Sequence, residues 1–343
     1  MSGGVDSSVS ALLLKQQGYE VFGLFMRNWH ETAEDGACTA EEDYSDVRRV
    51  ASLLDIPYYT IDLSKEYSER VFAHFVSEYA LGRTPNPDVL CNREIKFGPF
   101  KDSAKRFGAD GIATGHYAGT LIKDGKTYLT RAKDENKCQT YFLNQISNSQ
   151  LQNVLFPLQG LTKAEVREIA RKHGIPTAEK KDSTGVCFIG ERDFRKFLSG
   201  YVPMKSGEIR TCDNKVVGTH NGVFYYTLGQ RKGLGLGGEG EPWFVIKKDI
   251  INNVLYVARG ECDMLYSTEL IAKDFNYITD TLTAPAKVLC RIRHRQPLVL
   301  ATATPINGGK DIFITFDSPV RGVAEGQYAV IYDGDICLGG GVI

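Results

Sequence analysis

Ser2-Gly3-Gly4-Val5-Asp6-Ser7-Ser8 stands at the start of the sequence, directly before an apolar segment with the periodicity of a helix. Its two glycines allow a backbone to approach a phosphate closely, and its serine hydroxyls can donate hydrogen bonds to one. The helix expected at residues 5–17, closed by Gly18, would direct the positive end of its dipole at the same anion. The stretch predicts a phosphate-binding loop, with a flexible serine- and glycine-rich terminus as the alternative.

The loop lacks the lysine of the G-x-x-x-x-G-K-[ST] motif, which contacts the terminal phosphate in phosphoryl-transfer enzymes. Its pattern resembles instead the pyrophosphatase loop of ATP-dependent adenylating enzymes, which transfer AMP to a carbonyl oxygen and release pyrophosphate. In those enzymes a central strand of a parallel sheet precedes the loop, whereas only Met1 precedes it here. We therefore expect the first central strand to be missing and the natural chain to extend upstream of Met1.

The first half of the chain alternates strand-like and helix-like segments. Short apolar runs at residues 20–26, 58–63 and 111–114 predict strands, and helical periodicity separates them. Asp124-Gly125 predicts a hairpin turn, and Thr162-x-x-Glu165 is a capping box that starts a helix. Such alternation predicts an α/β domain with a parallel sheet.

The second half changes character after about residue 200. A glycine-rich region at residues 204–240 predicts a small central domain, and period-two alternation afterwards predicts strands. The last of these strands turn at Asp333-Gly334 and predict a C-terminal β-barrel. We therefore expect three domains, at residues 1–198, 199–262 and 263–343.

Composition excludes several classes of protein. The 343 residues include 41 lysines and arginines against 42 aspartates and glutamates, and 42% are apolar. The resulting net charge of −1 argues against a protein that coats nucleic acid by bulk electrostatics. No apolar stretch approaches the roughly 18 residues of a membrane span, and no targeting segment is visible. We expect a cytoplasmic protein without membrane partners.

Eight cysteines are spread along the chain, without the close pairing of redox or zinc-binding motifs. Two lie among turn-forming residues: Cys91 in Asn86-Pro87-Asp88-Val89-Leu90-Cys91-Asn92, and Cys187 in Asp182-Ser183-Thr184-Gly185-Val186-Cys187-Phe188-Ile189-Gly190. The first turn is expected to lift Asp88 and Cys91 out of regular structure, and Arg93 to favour a thiolate. The alternative for a lone cysteine is a buried structural thiol.

Together, the loop and these two motifs resemble the tRNA-specific 2-thiouridylase family. Further matches occur in order along nearly the whole chain, among them Ala113-Thr114-Gly115-His116-Tyr117, Tyr226-Thr227-Leu228-Gly229-Gln230-Arg231-Lys232-Gly233 and residues 332–341. The resemblance implies an adenine-nucleotide hydrolase-like N-terminal domain with a parallel sheet, a small central domain and a C-terminal β-barrel. It also implies that the protein makes 2-thiouridine at the wobble position of tRNA.

The resemblance implies roles for individual residues. Cys187 would carry a persulfide, Cys91 would be the nucleophile, and Asp88 would be the acid or base beside the target uracil. The residues implied for ATP are Met1, Ser2, Gly3, Gly4, Val5, Asp6, Ser7, Ser8, Met26 and Gly115. Those implied for tRNA are Asn86, Pro87, Asp88, Lys137, Cys138, Gln139, Arg293 and His294. Cys138 departs from the family, which usually has aspartate there.

The implied chemistry needs partners. ATP with Mg²⁺ would adenylate O2 of the uridine, and a cysteine desulfurase or sulfur-relay protein would supply the persulfide sulfur. The persulfide could attack the activated carbon directly, or Cys91 could attack the persulfide, releasing hydrosulfide and leaving a disulfide with Cys187. Alternatives to the whole interpretation are another pyrophosphatase-loop adenylating enzyme and a non-catalytic tRNA-binding protein.

A basic stripe is expected on the strand at residues 290–295. Period-two alternation would place Arg291, Arg293 and Arg295 on one face, where they could contact tRNA phosphates. The alternative is a solvated edge strand.

Overall fold

The computed structural model describes residues 1–29, 39–182 and 194–343. In this part of the chain, an N-terminal α/β domain is followed by a small central sheet and a closed C-terminal barrel. This confirms the fold class expected from the sequence. No helix among the described residues has both the length and the apolar character needed to cross a membrane.

Among its described residues, the N-terminal domain combines helices with six strands. Its helices are α1 (Val5–Gln16), α2 (Thr39–Leu54), α3 (Ser64–Tyr67), α4 (Ala73–Ala80), α5 (Pro87–Cys91), α6 (Lys101–Arg106), α7 (Asn148–Leu151) and α8 (Lys163–Lys172). π-Helical segments Ser68–Phe72 and Asn92–Phe100 connect α3 to α4 and α5 to α6, and a 3₁₀ turn covers Thr140–Leu143. The strands are β1 (Gly23–Arg27), β2 (Tyr58–Asp62), β3 (Ile112–Ala113), β4 (Ala118–Lys123), β5 (Lys126–Arg131) and β6 (Val154–Leu155).

The parallel strands form two separate pairs, β1 with β2 and β3 with β6. The parallel strands thus do not form one continuous sheet among the described residues. The amino group of Met1 donates a hydrogen bond to the carbonyl of Leu24 at 2.5 Å, and the Met1 side chain fills the space where Gly23 lacks a Cβ. The phosphate loop therefore begins directly beside β1.

Helix α1 is held from two sides. Its Val5, Val9 and Leu12 are buried in one hydrophobic cluster with apolar residues of α2 and α8. The helix ends at Gln16, and Gly18 follows at φ +88°, a left-handed conformation that glycine adopts without strain. Packing on both flanks fixes the direction in which the N-terminus of α1 points.

The central domain is a four-stranded sheet that follows α9 (Phe194–Ser199). Its strands are β7 (Gly207–Arg210), β8 (Val216–His220), β9 (Trp243–Asp249) and β10 (Val254–Arg259), in the order β8, β7, β10, β9. The glycine-rich stretch at residues 233–238 lies between β8 and β9 and has no regular structure, as its composition predicts.

Six antiparallel strands close the barrel, because β11 pairs with both β14 and β16. They are β11 (Tyr266–Tyr277), β12 (Ala286–Arg291), β13 (Val299–Ile306), β14 (Asp311–Arg321), β15 (Tyr328–Asp333) and β16 (Ile336–Val342). The hairpin of β4 and β5 turns at Asp124-Gly125 as expected, but β5 pairs with β16 instead of with the parallel strands. The N-terminal domain thus extends the sheet of the barrel.

Hydrophobic clusters cross the domain boundaries. One cluster joins α5 to the central sheet and includes Cys91 and Val245. A second joins the N-terminal domain to the barrel and includes Val89, Tyr141 and Tyr332. Helix α5 contributes to both clusters, so it lies where the three domains meet.

We expect Thr162→Ala to lower the free energy of unfolding by about 1 kcal/mol, the usual loss for a helix cap. The Thr162 side chain accepts a hydrogen bond from Glu165 N at 3.3 Å, and the Glu165 carboxylate accepts one from Thr162 N at 2.6 Å. Urea denaturation followed by circular dichroism measures the loss. Glu168→Ala, exposed on the same helix, is the control, and an equal loss in both variants would contradict the capping role.

Candidate functional site

The phosphate loop leads directly into the N-terminus of α1. Gly4 is the residue before the helix, and none of the described side chains caps the helix there. The hydroxyls of Ser7 and Ser8 donate to the carbonyl of Gly4, at 3.1 and 2.9 Å, and so tighten the first turn. Because the first amides of a helix lack intrahelical partners, this end of α1 is suited to an anion.

Two glycines allow other segments to approach the loop closely. Gly3 has φ +74°, and a Cβ there would lie 2.7 Å from the carbonyl oxygen of Asp43 in α2. A Cβ on Gly115 would lie 2.8 Å from Ser7 N and 2.9 Å from the carbonyl carbon of Asp6. The structure therefore brings Gly115, which follows β3, into contact with the loop.

The other residues expected to bind ATP differ in exposure. Ser2 is exposed, whereas Val5 and Ser8 are buried, and Ser8 Oγ accepts a hydrogen bond from Thr177 Oγ1 at 3.3 Å. The backbone N–H of Ser8 donates to the carbonyl of Gly4 at 3.3 Å. Met26 is half-buried in β1.

A network of ion pairs links the loop to the Asp182 motif. Lys163 Nζ, at the start of α8, lies 2.7 Å from Asp6 Oδ1 and 2.7 Å from Asp182 Oδ1. Asp182 also pairs with Lys137 and, at 3.1 Å, with Arg167. Burial alone would raise the pKa of Asp182, but hydrogen bonds from Lys137 and Lys163 outweigh it and hold the pKa at about 2. Asp182 is thus ionised at neutral pH.

Tyr117 connects this network to the segment around Gln139. Its hydroxyl donates to Asp6 Oδ1 at 2.9 Å, and burial, followed by the charge of Asp6, raises the pKa of Tyr117 far above its ordinary value. The backbone N–H of Tyr117 donates to Gln139 Oε1 at 2.9 Å. Lys137 and Gln139, both expected to contact tRNA, are therefore tied to the phosphate loop through Asp182 and Tyr117.

Asp88 and Cys91 lie in helix α5 and not outside regular structure as expected. Asn86 precedes the helix and accepts a hydrogen bond from Val89 N at 3.4 Å, and Pro87 occupies the first helical position. Asparagine followed by proline is a helix-start signal as well as a turn signal, which explains the wrong prediction. Because Asp88 and Cys91 are three residues apart on one helix, their side chains lie on the same face.

The carboxyl group of Asp88 is desolvated by burial, which raises its pKa, while nearby Lys96 acts in the opposite direction. Burial, and then Lys96, lowers the pKa of His116 well below its ordinary value. His116 Nδ1 lies 2.9 Å from Thr114 Oγ1, and its ring stacks on that of Phe97. His116 is therefore a neutral core histidine, and Lys96 lies close to both titratable groups.

Cys91 is 2% exposed and packs in the cluster that joins α5 to the central domain. Arg93, expected to favour a thiolate, instead pairs with Glu94 at 2.6 Å and donates to Gln145 Oε1 at 3.2 Å. Cys187 lies outside the described residues. The expected pairing of the two cysteines therefore stays a prediction.

Cys138 is 1% exposed, and its Sγ lies 3.2 Å from Thr140 Oγ1. Thr140 in turn contacts the hydroxyl of Tyr332 in the barrel at 3.1 Å. The Cys138 side chain thus faces the protein interior, and Pro87 is likewise buried. Their predicted contacts with tRNA would have to use backbone atoms.

The basic stripe expected at residues 290–295 is not formed. β12 ends at Arg291, and the chain then turns, with Arg295 at φ +66°. Period-two alternation therefore stops at Arg291, whose side chain is buried. Arg293 Nη2 donates to the carbonyl of Leu228 in the central domain at 2.7 Å.

Positive side chains nevertheless converge on His294. Burial first, and then the charges of Arg295, Arg291 and Lys137, lowers the pKa of His294 from 6.5 to about 4. His294 is therefore neutral at physiological pH, and its ring lies 4.4 Å from that of Phe142. In the described part of the chain, Arg291 Nε and His294 Nδ1 are buried without a hydrogen-bond partner. The predicted contact of His294 with tRNA therefore stays a prediction.

Sequence reasoning missed Lys96 and Lys163. The capping box placed Lys163 at the first position of a helix, but no sequence pattern indicates that this helix begins beside the phosphate loop. Lys96 follows Cys91 in a helical continuation whose direction depends on packing between domains. Both residues are therefore recognised only from long-range contacts.

We expect Gly115→Ala to weaken ATP binding by about tenfold, because its Cβ would displace Ser7 and Asp6 at the helix N-terminus. Isothermal titration calorimetry measures the affinity. Gly160→Ala is the matched control, since a Cβ there meets no atom within 4 Å. If both variants bound ATP as the parent does, the loop would not be the nucleotide site.

Three family models together match nearly the whole chain. Their descriptions are tRNA methyl transferase HUP domain for residues 1–191, tRNA methyl transferase PRC-barrel domain for residues 195–259, and aminomethyltransferase beta-barrel domain for residues 267–343. A solved structure of NMN synthetase from Francisella tularensis is similar over 57% of this chain and 68% of its own, with 16% identity and a TM-score of 0.32. That similarity is too low to support an argument about the fold.

Curated relatives are similar over the full length of this chain. The tRNA-specific 2-thiouridylase MnmA 2 of Geobacillus kaustophilus is 55% identical over 346 residues, which cover 100% of this chain and 93% of the relative. The tRNA-specific 2-thiouridylase MnmA of Listeria innocua is 54% identical with the same coverage. These relatives cover the whole of this chain at more than 50% identity, and this chain belongs to the tRNA-specific 2-thiouridylases.

Proposed function

We propose that this protein catalyses the ATP-dependent thiolation of C2 of the wobble uridine in tRNA, giving 2-thiouridine. Its full-length relatives carry the name tRNA-specific 2-thiouridylase. The structural observation that carries the proposal is Lys163, which contacts both Asp6 and Asp182 at 2.7 Å. One cation thus joins the loop proposed for ATP to the motif proposed for sulfur.

Adenylation of O2 is proposed to make C2 of the uracil reactive toward sulfur. C2 of uracil is a poor electrophile, because both ring nitrogens donate electrons to it, and oxide is a poor leaving group. Transfer of AMP to O2 turns that oxygen into a good leaving group and releases pyrophosphate. We assign ATP to residues 1–8 with Met26 and Gly115, where the N-terminus of α1 and Lys163 would stabilise the phosphates.

Mg²⁺ is proposed to accompany ATP and would supply charge neutralisation at the departing pyrophosphate. Proteins usually hold this ion through one or two carboxylates together with substrate phosphates. Only Asp6 fits that habit, because Lys163, Arg167 and Lys137 already pair with both carboxylate oxygens of Asp182.

Sulfur would arrive as a persulfide on Cys187, supplied by a cysteine desulfurase or a sulfur-relay protein. In one route the terminal sulfur attacks C2, AMP leaves, and Cys91 then attacks the Cys187 sulfur to free the thiouridine. In the other, Cys91 first attacks the Cys187 sulfur, and the released hydrosulfide attacks C2. Both routes leave a Cys91–Cys187 disulfide, which a thiol reductant must return to two thiols.

The target uracil is proposed to lie against Asn86, Pro87 and Asp88. The burial that raises the pKa of Asp88 supports a role in proton transfer, because its protonated form persists to a higher pH than in water. Lys137, Cys138, Gln139, Arg293 and His294 are proposed to contact the tRNA.

The boundaries between the three domains are proposed to lie at residues 198 and 262.

Thiolation is tested by incubating the protein with ATP, Mg²⁺, a persulfide donor and wobble-uridine tRNA. Thiouridine retards tRNA in a mercury-containing gel, so we expect a retarded band. Cys91→Ser and Cys187→Ser should abolish it while tRNA affinity stays within about twofold, because neither thiol is needed for phosphate contacts. Cys212→Ser, at an exposed cysteine of the central domain, is the control. Retained tRNA binding without thiolation by the parent protein would favour a non-catalytic role.

The pH profile tests Asp88. We expect Asp88→Asn to lower the thiolation rate by about 100-fold or more and to remove one limb of the pH–rate profile, because the amide cannot transfer a proton. If Asp88 is the acid, the lost limb is the one in which the rate falls as pH rises through the raised pKa of Asp88. If Asp88 is the base, the lost limb is the one in which the rate rises as pH rises through that pKa. An unchanged profile would exclude either role.

A further inference from the structure

Residues 82–85 lead into Asn86, and the central domain holds them from one side. Lys248 Nζ donates to the carbonyls of Gly82 and, at 2.9 Å, Tyr226. Burial lowers the pKa of Lys248 to about 8, and Glu325 acts in the opposite direction. Next to this contact, Thr84 Oγ1 lies 3.2 Å from Thr227 Oγ1. The central domain thus binds both the backbone and a side chain of this segment.

The barrel holds the same segment from the other side. Thr84 N donates to the carbonyl of Glu325 at 2.8 Å, and Gln327 Nε2 donates to the carbonyl of Thr84 at 2.8 Å. Gly326 lies against Thr84 so closely that a Cβ there would be 3.0 Å from Thr84 N. Both backbone polar groups of Thr84 are therefore bound by the barrel, and its hydroxyl by the central domain.

Three consecutive residues of the central domain form the centre of this junction. Tyr226 accepts from Lys248, Thr227 contacts Thr84, and Leu228 accepts from Arg293 of the barrel at 2.7 Å. The motif from Tyr226 to Gly233 is one of those through which the sequence resembles its family, and the proposed chemistry gives it no role. Its first three residues connect the three domains.

Helix α5 needs such an anchor. It opens a helical run that continues into the π-helical segment Asn92–Phe100, and the first turn of a helix has backbone N–H groups without intrahelical partners. Thr84 lies two residues before Asn86, the cap of α5, and four before Asp88. Thr84 is therefore close enough in the chain for its position to influence where α5 begins and how Asp88 is oriented.

We propose that Thr84 and Thr227 are positioning residues, whose hydroxyl contact, together with the barrel, holds Asp88 in its working orientation toward the target base. This inference rests on the proposed function. It means that the two domains without the phosphate loop determine the geometry of the catalytic helix.

Thr227→Val removes the hydroxyl while keeping the shape of the side chain. We expect kcat for thiolation to fall about five- to tenfold, the size of one lost hydrogen bond, with KM for tRNA within twofold of the parent value. Thr84→Val should behave alike, and the double variant should be no worse than either single one, because both remove the same contact. Thr227→Ser should keep the parent kcat. Thr219→Val, at an exposed threonine of β8, is the matched control.

A parent-like kcat in Thr227→Val, or a rise in KM alone, would overturn the positioning role while thiolation by the parent protein still supports the proposed function. Hydrogen exchange of a peptide covering residues 84–91 gives a readout independent of activity. Faster exchange in Thr227→Val than in the parent and in Thr219→Val supports the contact even if the parent makes no thiouridine. Unchanged exchange of this peptide in Thr227→Val overturns the positioning role of the Thr84–Thr227 contact.

Discussion

The arrangement of the site depends on the ion pairs that the ammonium group of Lys163 forms with two carboxylates. Two carboxylates that approach the same point repel each other unless a cation lies between them. Lys163 is that cation for Asp6 and Asp182, which are far apart in the chain, and Lys137 and Arg167 add positive charge at Asp182. The position of α8 therefore matters as much to the phosphate loop as the glycines within it, because α8 both packs against α1 and presents Lys163.

The second half of the site is built by packing between domains. Helix α5 contributes to one hydrophobic cluster with the central sheet and to another with the barrel, so its apolar residues are buried only when all three domains are assembled. The hydrogen bonds of Thr84 with the barrel and the central domain also fix the orientation of the segment before α5. An apolar interface alone tolerates small shifts, whereas hydrogen bonds to both backbone groups of one residue fix its position closely.

The sequence predicted those features that depend on local signals or on whole motifs. The loop, helix α1 and its glycine end, the capping box at Thr162 and the hairpin at Asp124-Gly125 all follow from a few neighbouring residues. The errors arose where one local pattern permits two structures, as at Asn86-Pro87-Asp88, or where a strand ends within a regular pattern, as at Arg291. The roles of Lys163, Lys96 and Thr84 depend on contacts between distant segments, which a single sequence does not reveal.

The hairpin of β4 and β5 has a consequence for the way the chain can be divided. It belongs to the N-terminal domain in sequence but is hydrogen-bonded to β16, at the other end of the chain. A cut between the domains would leave β5 with an unpaired edge in one fragment and would uncover β16 in the other, and open strand edges favour self-association. Exchange of whole domains between relatives would meet the same obstacle. The three parts of this protein follow one another in the sequence, but two of them share one hydrogen-bonded sheet. Insertions or deletions should therefore be tolerated in its turns more readily than rearrangement of its domains.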